Sequence, residues 1–201
     1  MRILAIDTSL SAISVCLYDG DGRAVIAGET VPMERGHAEA LLPLVEDVIH
    51  RVRSGFSRVD KVAVTVGPGS FTGIRVGISA AKGFGIALEA PVVGVSTLSA
   101  FASQVVLEGG EGVIVPSIEA RADQVYVQVV APDGKVLQRA HIAKPLEFVE
   151  RLGNRRVRFT GPAASRLILD AWSVLVPADV AGSFTTPSIE CVARQIGRAH
   201  V

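Results

Sequence analysis

Three short stretches carry residue types and spacings suited to chemistry. Asp7-Thr8-Ser9 follows a compact apolar run from Arg2. An acid at that point can orient a magnesium-bound phosphate, and the two hydroxyls can donate to phosphate oxygens. The same residues equally make an Asx or Ser/Thr turn that closes a hairpin, and spacing alone leans toward the turn. Gly67-Pro68-Gly69-Ser70-Phe71-Thr72-Gly73 lies between a buried strand and a helix. Free backbone N–H groups at a helix N-terminus attract anions. The loop is not a Walker loop, since no Lys-Ser/Thr pair follows. It misses the dinucleotide pattern at Thr72 and does not follow the first strand. A tight turn that lets the next helix pack closely explains it as well. Glu119-Ala120-Arg121 ends a later strand. A phosphate-binding turn needs a glycine after the acid, so that backbone can approach the anion. An alanine and a bulky arginine there weaken an ATPase reading.

Other chemistry is poorly supported. The histidines are His37, His50, His141 and His200, and none belongs to a nucleophile triad. Asp47 and His50 stand one helical turn apart, a surface pairing more than a catalytic one. His37 with Glu39 does not make a metal site. Cys16 and Cys191 lack metal spacing and read as small buried residues in a reducing compartment. Arg151, Arg155, Arg156 and Arg158 crowd four cations into eight residues. A solvated strand edge accounts for them better than a nucleic-acid contact does.

The elements that hold these stretches follow from periodicity. Arg2–Asp7 reads as a buried strand, and Ala12–Tyr18 alternates as a second. Asp19-Gly20-Asp21-Gly22 is a hairpin turn, which makes Arg23–Val31 a third, antiparallel strand. Residues 37–53 form a helix with Leu41, Leu42, Val45, Val48, Ile49 and Val52 on its apolar face. Strand 61–66, helix 74–88, strand 92–95 and helix 97–106 follow, and Glu108–Gly112 is the best linker. Strands 113–118, 124–130 and 135–142, a short helix 145–152, strand 156–160 and a glycine turn then repeat the order.

The repeat appears when the first segment is shifted by 112 positions without gaps. Ile6 falls on Ile118, Asp7 on Glu119, Ile13 on Val125, and Asp21-Gly22-Arg23 on Asp133-Gly134-Lys135. Gly67-Pro68 falls on Gly161-Pro162 once the second copy's shorter helix is allowed for. We read an internal duplication. A duplicated β-β-β-α-β-α unit with an acid ending each first strand is the α/β architecture of the sugar kinases, Hsp70 and actin: two lobes, each a mixed five-stranded sheet flanked by helices. The expected lobes are residues 1–108 and 109–201. Within the helix after the glycine loop, Gly73, Gly77, Ala81 and Gly85 recur every fourth residue, with Ala80 beside them. Interior helical glycines cost about 1 kcal/mol each against alanine, so another backbone must press on that row, from within the chain or from a second subunit.

Composition bounds the rest. The chain has 201 residues, 49% apolar, with 20 basic and 20 acidic side chains and 5% aromatics. That length suits one large domain or two small ones. Zero net charge argues against polyanion binding by bulk charge, and the few aromatics argue against base stacking. The balance is uneven: residues 151–201 hold seven arginines against three acids. No run of 18 apolar residues exists, and the N-terminal run turns polar at Asp7, too early for a secretory signal. The expected location is the cytoplasm, with no membrane contact.

LAIDTSLSAISVCLYD, RGHAEALLPLVEDVI, VGPGSFTGIRVGISAAKGFGIAL and PVVGVSTLSAFA resemble the bacterial TsaB (YeaZ) family, and SIEARADQVYVQVV extends the resemblance. GPGSFTGIRVG is long and distinctive. The resemblance implies a duplicated actin-like fold and a part in forming N6-threonylcarbamoyladenosine at position 37 of tRNAs that decode ANN codons. It implies a non-catalytic scaffold that pairs with a TsaD-type catalytic subunit and a TsaE-type ATPase, meets tRNA through that complex, and forms a homodimer when alone. A glycoprotease-like reading once attached to the family is not adopted. A TsaD-type relative carries a metal-binding His-x-x-x-His where this chain has Thr97 and Phe101, so the resemblance implies no metal site and no catalytic residue. Asp7, Thr8, Ser9, Gly67, Gly69, Ser70, Glu119 and Arg121 become vestigial phosphate-facing positions, with weak ATP or ADP binding and no cofactor of the chain's own. Glu119 departs mildly from the family's usual aspartate. Leu41, Val45, Gly73, Arg75, Gly77, Ala80, Ala81 and Gly85 become the expected dimer or partner contact. The family also carries a Pro-x-Tyr-like segment beyond the point where Gly197-Arg198-Ala199-His200-Val201 ends this sequence. An ATP-dependent phosphotransferase of the sugar-kinase type is the alternative, and a dinucleotide oxidoreductase rests only on the glycine loop.

Overall fold

Near-continuous burial along the first two strands reflects a sheet with both faces covered. In the computed structural model, which describes residues 1–198 apart from Ser54, Ser57 and Ser183, β1 (Arg2–Asp7) pairs antiparallel with β2 (Ala12–Asp19), and β2 with β3 (Ala24–Pro32). The expectations placed on Ala199, His200 and Val201 lie outside the described residues. β4 (Lys61–Thr65) adds to the other side of β1 in parallel, and β5 (Val92–Val95) continues beyond it, so the order is β3-β2-β1-β4-β5. Leu4, Ile6, Ile13, Val15, Leu17, Val62 and Val64 share one cluster with Leu41, Leu44, Val45, Val48 and Ile49 of α1 (His37–His50) and Ala81 of α2 (Phe71–Ala87). Each fully buried large aliphatic side chain contributes about 1.5–3 kcal/mol. Leu44 replaces Leu42 on the buried face of α1, and Leu42 is exposed.

The opposite face of this sheet is covered by an element far away in sequence. α6 (Ile189–Arg198) packs on β1, β2, β4 and β5, and its Cys191, Val192, Ala193 and Ile196 are buried. The Cys16 thiol contacts the Ile189 carbonyl at 3.8 Å. Desolvation pushes the Cys16 pKa up to about 12, so the thiol stays protonated and inert.

The second unit repeats the plan. β6 (Val113–Glu119), β7 (Val125–Val130), β8 (Val136–Ala143), β9 (Val157–Thr160) and β10 (Ala178–Val180) assemble in the order β10-β9-β6-β7-β8. Reading β6 for β1, β7 for β2, and so on reproduces the first sheet, including the parallel β6–β9 pair. α4 (Pro145–Glu150) and α5 (Ala164–Ser173) cover one face through Phe148, Val149, Leu167 and Ile168. α3 (Thr97–Glu108) contributes Ala102 and Val105 to a cluster with Ile114, Val130 and Ala181.

The units are therefore Met1–Thr97 with Ser188–Val201, and Leu98–Pro187, rather than the expected 1–108 and 109–201. α3 belongs to the second unit and α6 to the first. The physical reason is the uncovered sheet face: the first sheet buries its second face under α6, far along the chain, and α3, just ahead of β6, packs on residues of the second. α5, β10 and α6 lie beyond the point where the sequence repeat could be followed. Among the described residues no helix is long and apolar enough to cross a membrane.

Candidate functional site

β1 ends at Asp7 because the next residues must turn, and the turn is held by the carboxylate itself. Asp7 Oδ1 accepts from the Ser9 amide at 3.0 Å, the Ser9 hydroxyl at 2.7 Å and the Thr65 hydroxyl at 2.5 Å. Asp7, Thr8 and Ser9 are all fully buried. Asp7 Oδ2 has no hydrogen-bond partner among the described residues. Burial raises the Asp7 pKa above its usual 3.8, and the hydrogen bonds from Ser9 and Thr65, with the nearby His37, pull the other way. His37 Nε2 meets the Leu10 carbonyl at 3.0 Å, so that nitrogen carries the proton.

The glycine loop closes on this turn. The Thr8 hydroxyl donates to the Gly73 carbonyl at 2.7 Å, and the Ser70 amide donates to the Ser9 carbonyl at 2.7 Å. A Cβ at Gly69 would overlap the Ser9 carbonyl oxygen, and one at Gly73 would overlap that of Thr8. Ser70 caps α2, its hydroxyl accepting from the Gly73 amide at 3.3 Å, and the Gly67 carbonyl accepts from Thr97 at 2.9 Å. Ser70 and Gly69 are exposed on the outside of the loop and Gly67 is half-buried. The polar groups of the Asp7–Ser9 turn, Oδ2 aside, are thus consumed by the fold. Asp7, Thr8 and Ser9, expected to face a phosphate, are buried in a closed turn whose hydrogen bonds run within the chain, with Asp7 Oδ2 left over among the described residues.

The second turn is built differently. Glu119 is exposed, where Asp7 is buried, and its carboxylate stands 3.3 Å from Arg166 Nη1. Arg166 also engages Asp123. Arg121 is exposed, and Ala122 and Asp123 take positive φ of 53° and 61°. The two acids matched by overlay are therefore unlike in environment. The closer echo is glycine: a Cβ at Gly161 would collide with the Ser117 carbonyl, and the Ser117 hydroxyl donates to the Thr160 carbonyl at 3.1 Å.

The small-residue row of α2 faces inward. Gly73 and Gly77 press on Thr8, Ala81 is fully buried, and half-buried Gly85 meets Val92 and Ala90. Leu41 and Val45 are 1% exposed inside the first core. Leu41, Val45, Gly73, Gly77 and Ala81 are accordingly corrected from contact surface to core, because the backbone pressing on the row is this chain's own turn. Ala80 is half-buried, and Arg75 is exposed with its guanidinium 4.1 Å from the centroid of Phe71. The outward face of α2 carries Phe71, 67% exposed, and Ile86, 82% exposed. Sequence reasoning missed both. The signal was present, since they stand on the side of the helix opposite the small residues.

Thr97 and Phe101 are fully buried in α3. Phenylalanine offers no lone pair to a metal. Among the described residues no group of three His, Cys, Asp or Glu side chains is placed to hold a metal ion.

Comparison with known proteins places this geometry. The family model for TsaD, tRNA N6-adenosine threonylcarbamoyltransferase, matches residues 28–176. The chain is 39% identical over 126 residues to the tRNA threonylcarbamoyladenosine biosynthesis protein TsaB of Escherichia coli K12, a match covering 63% of this chain and 53% of that protein. It is 31% identical to the TsaB of Bacillus subtilis 168, covering 80% of this chain and 71% of that one. The chain thus spans about half the length of the first curated relatives it matches. The structure of YeaZ from Pseudomonas aeruginosa superposes with a TM-score of 0.81 at 27% identity, covering 98% of this chain and 90% of that one. A polyphosphate/ATP-glucomannokinase from Arthrobacter, at 12% identity and a TM-score of 0.57, shares the fold, which is the actin-like α/β fold read from the duplication.

Proposed function

The chain belongs to the TsaB family, and from that membership we propose that it acts as a non-catalytic subunit in forming N6-threonylcarbamoyladenosine at position 37 of ANN-decoding tRNAs. In this reading it works in the cytoplasm, activates a TsaD-type catalytic subunit, and shares the task with a TsaE-type ATPase. The observation that carries the scaffold role is Phe101. By the family resemblance its place corresponds to a metal-ligating histidine of the catalytic relative, and here it is a fully buried phenyl ring. The closed Asp7–Ser9 turn supports the same reading, because Oδ1 of its acid is taken up by Ser9 and Thr65. The test is genetic. Expression of the full chain in bacteria lacking their own TsaB is expected to restore threonylcarbamoyladenosine in hydrolysed tRNA. Absence of the nucleoside despite soluble expression would sink the reading.

The contact with the TsaD-type partner, and with a second copy when the chain is alone, is assigned to the outward face of α2. Phe71 and Ile86 are its apolar anchors, with Arg75 stacked on Phe71. Bulky substitution of Gly77 or Ala81 does not probe this surface, since a side chain at Gly77 would strike the Thr8 hydroxyl. The paired change Phe71→Asp and Ile86→Asp is expected to weaken the heterodimer at least about tenfold in sedimentation velocity, each anchor being worth about 1–2 kcal/mol, while circular dichroism stays unchanged. A heterodimer of unaltered affinity would move the contact away from α2.

A further inference from the structure

We propose that the groove between β8 and α4 in the second unit is an anion site that takes the phosphodiester backbone of RNA, with Lys144, Arg151 and Arg155 as its cations. The proposal rests on the functional reading above only for the choice of tRNA as that RNA. The groove has a volume of about 300 Å³, and its lining includes Gln138, His141, Lys144, Glu147, Arg151 and Arg155.

The arginine strip divides into two pairs with different jobs. Arg156 lies 4.0 Å from Glu111 and 3.8 Å from Asp179. Arg158 lies 3.9 Å from Asp179 and 4.0 Å from Glu108, and it donates to the Gly109 carbonyl. Those two hold β9 to its surroundings. Among the described residues Arg151 and Arg155 take no carboxylate partner, and both are exposed. Arg151 is the C-cap of α4, where a cation complements the helix dipole. Arg155 lies four residues farther on, outside the helix, and that account does not reach it.

The charge inside the groove is one-sided. Its single carboxylate is Glu147, whose Oε1 lies 3.0 Å from Lys144 Nζ. His141 is engaged within its own strand: Nδ1 meets the Arg139 carbonyl at 3.0 Å, and Nε2 lies 3.4 Å from the Gln138 amide nitrogen. Three cations against one carboxylate leave a surplus of two positive charges. In a chain with no net charge, such a local surplus selects where a polyanion lands. The groove contacts backbone rather than bases. Its aromatic ring, Phe148, is 4% exposed and cannot stack on a base, while half-exposed Ile142 offers apolar surface to a ribose.

The test measures binding of a tRNA transcript to the full chain by fluorescence anisotropy across a salt series. The double change Arg151→Ala and Arg155→Ala is expected to weaken binding about tenfold and to flatten the salt slope by about 1.5–2, two phosphate contacts being lost. Arg151→Lys with Arg155→Lys is expected to keep most of the affinity and slope, and Arg156→Ala to leave both unchanged. An unaltered slope in the double alanine variant overturns the proposal, as does failure of the wild type to bind tRNA at low salt. Line broadening of inorganic phosphate without any tRNA binding would identify a small-anion site and overturn the RNA assignment. The two readings fail separately. Arginine-dependent RNA binding by a chain that never restores the modified nucleoside would sink the functional reading and leave this site standing.

Discussion

Gly73→Ala is expected to destabilise the first unit by about 3 kcal/mol and to lower its melting temperature by roughly 6–12 °C. Helix propensity predicts the opposite sign, since alanine is favoured over glycine by about 1 kcal/mol in a helix interior. Packing decides the matter. The new methyl would overlap the Thr8 carbonyl oxygen, a backbone atom that cannot rotate away. Thr8 is also bound through its hydroxyl to the Gly73 carbonyl, so any shift that relieves the overlap breaks that bond as well. Gly83 is the matched control. It lies on the same helix with nothing within 4 Å of its Cβ position, and Gly83→Ala is expected to raise stability slightly. Thermal melts of the two variants separate the effects, and a stabilised Gly73→Ala would show that α2 does not rest on the turn.

Asp7→Ala is expected to cost about 2–4 kcal/mol, because the Ser9 amide and the Ser9 and Thr65 hydroxyls would lose one shared acceptor inside a buried turn. Asp7→Asn keeps an acceptor at Oδ1 and is expected to fold. Its comparison with the wild type isolates the titration of the carboxyl. Burial raises the folded-state pKa above 3.8, so the folded protein holds this proton more tightly than the unfolded chain. The stability this supplies is complete below about pH 3.8 and is lost as pH rises through the folded-state value. Urea midpoints over that window are expected to fall more steeply for the wild type than for Asp7→Asn. At pH 7 the asparagine variant is expected to match or exceed the wild type. Parallel pH profiles would mean that Asp7 titrates as it does in the unfolded chain.

Much of this protein is legible in its sequence, for a physical reason. Apolar runs at residues 2–7 and 113–118, and alternation along 12–18 and 124–130, report which side chains leave water. The Asp-Gly turns report where strands reverse, and small residues at every fourth position of α2 report that something must approach that helix closely. The duplication follows from these local signals occurring twice, and both sheets carry it in their strand order. Phe101 is legible too, because side-chain chemistry alone excludes it as a metal ligand. What periodicity cannot report is the identity of the neighbour. It marks the Gly73–Ala81 row as buried, but only the tertiary structure shows that the Asp7–Ser9 turn presses there and that Phe71 and Ile86 stand exposed elsewhere on the helix. Arg151, Arg155, Arg156 and Arg158 look alike in sequence, and among the described residues Glu108, Glu111 and Asp179 pair with the last two and not with the first two. The covering of the first sheet by α6, and of the second by α3, was likewise decided by tertiary structure. An apolar face must be buried wherever cover is found, and for the first sheet that cover lies far along the chain.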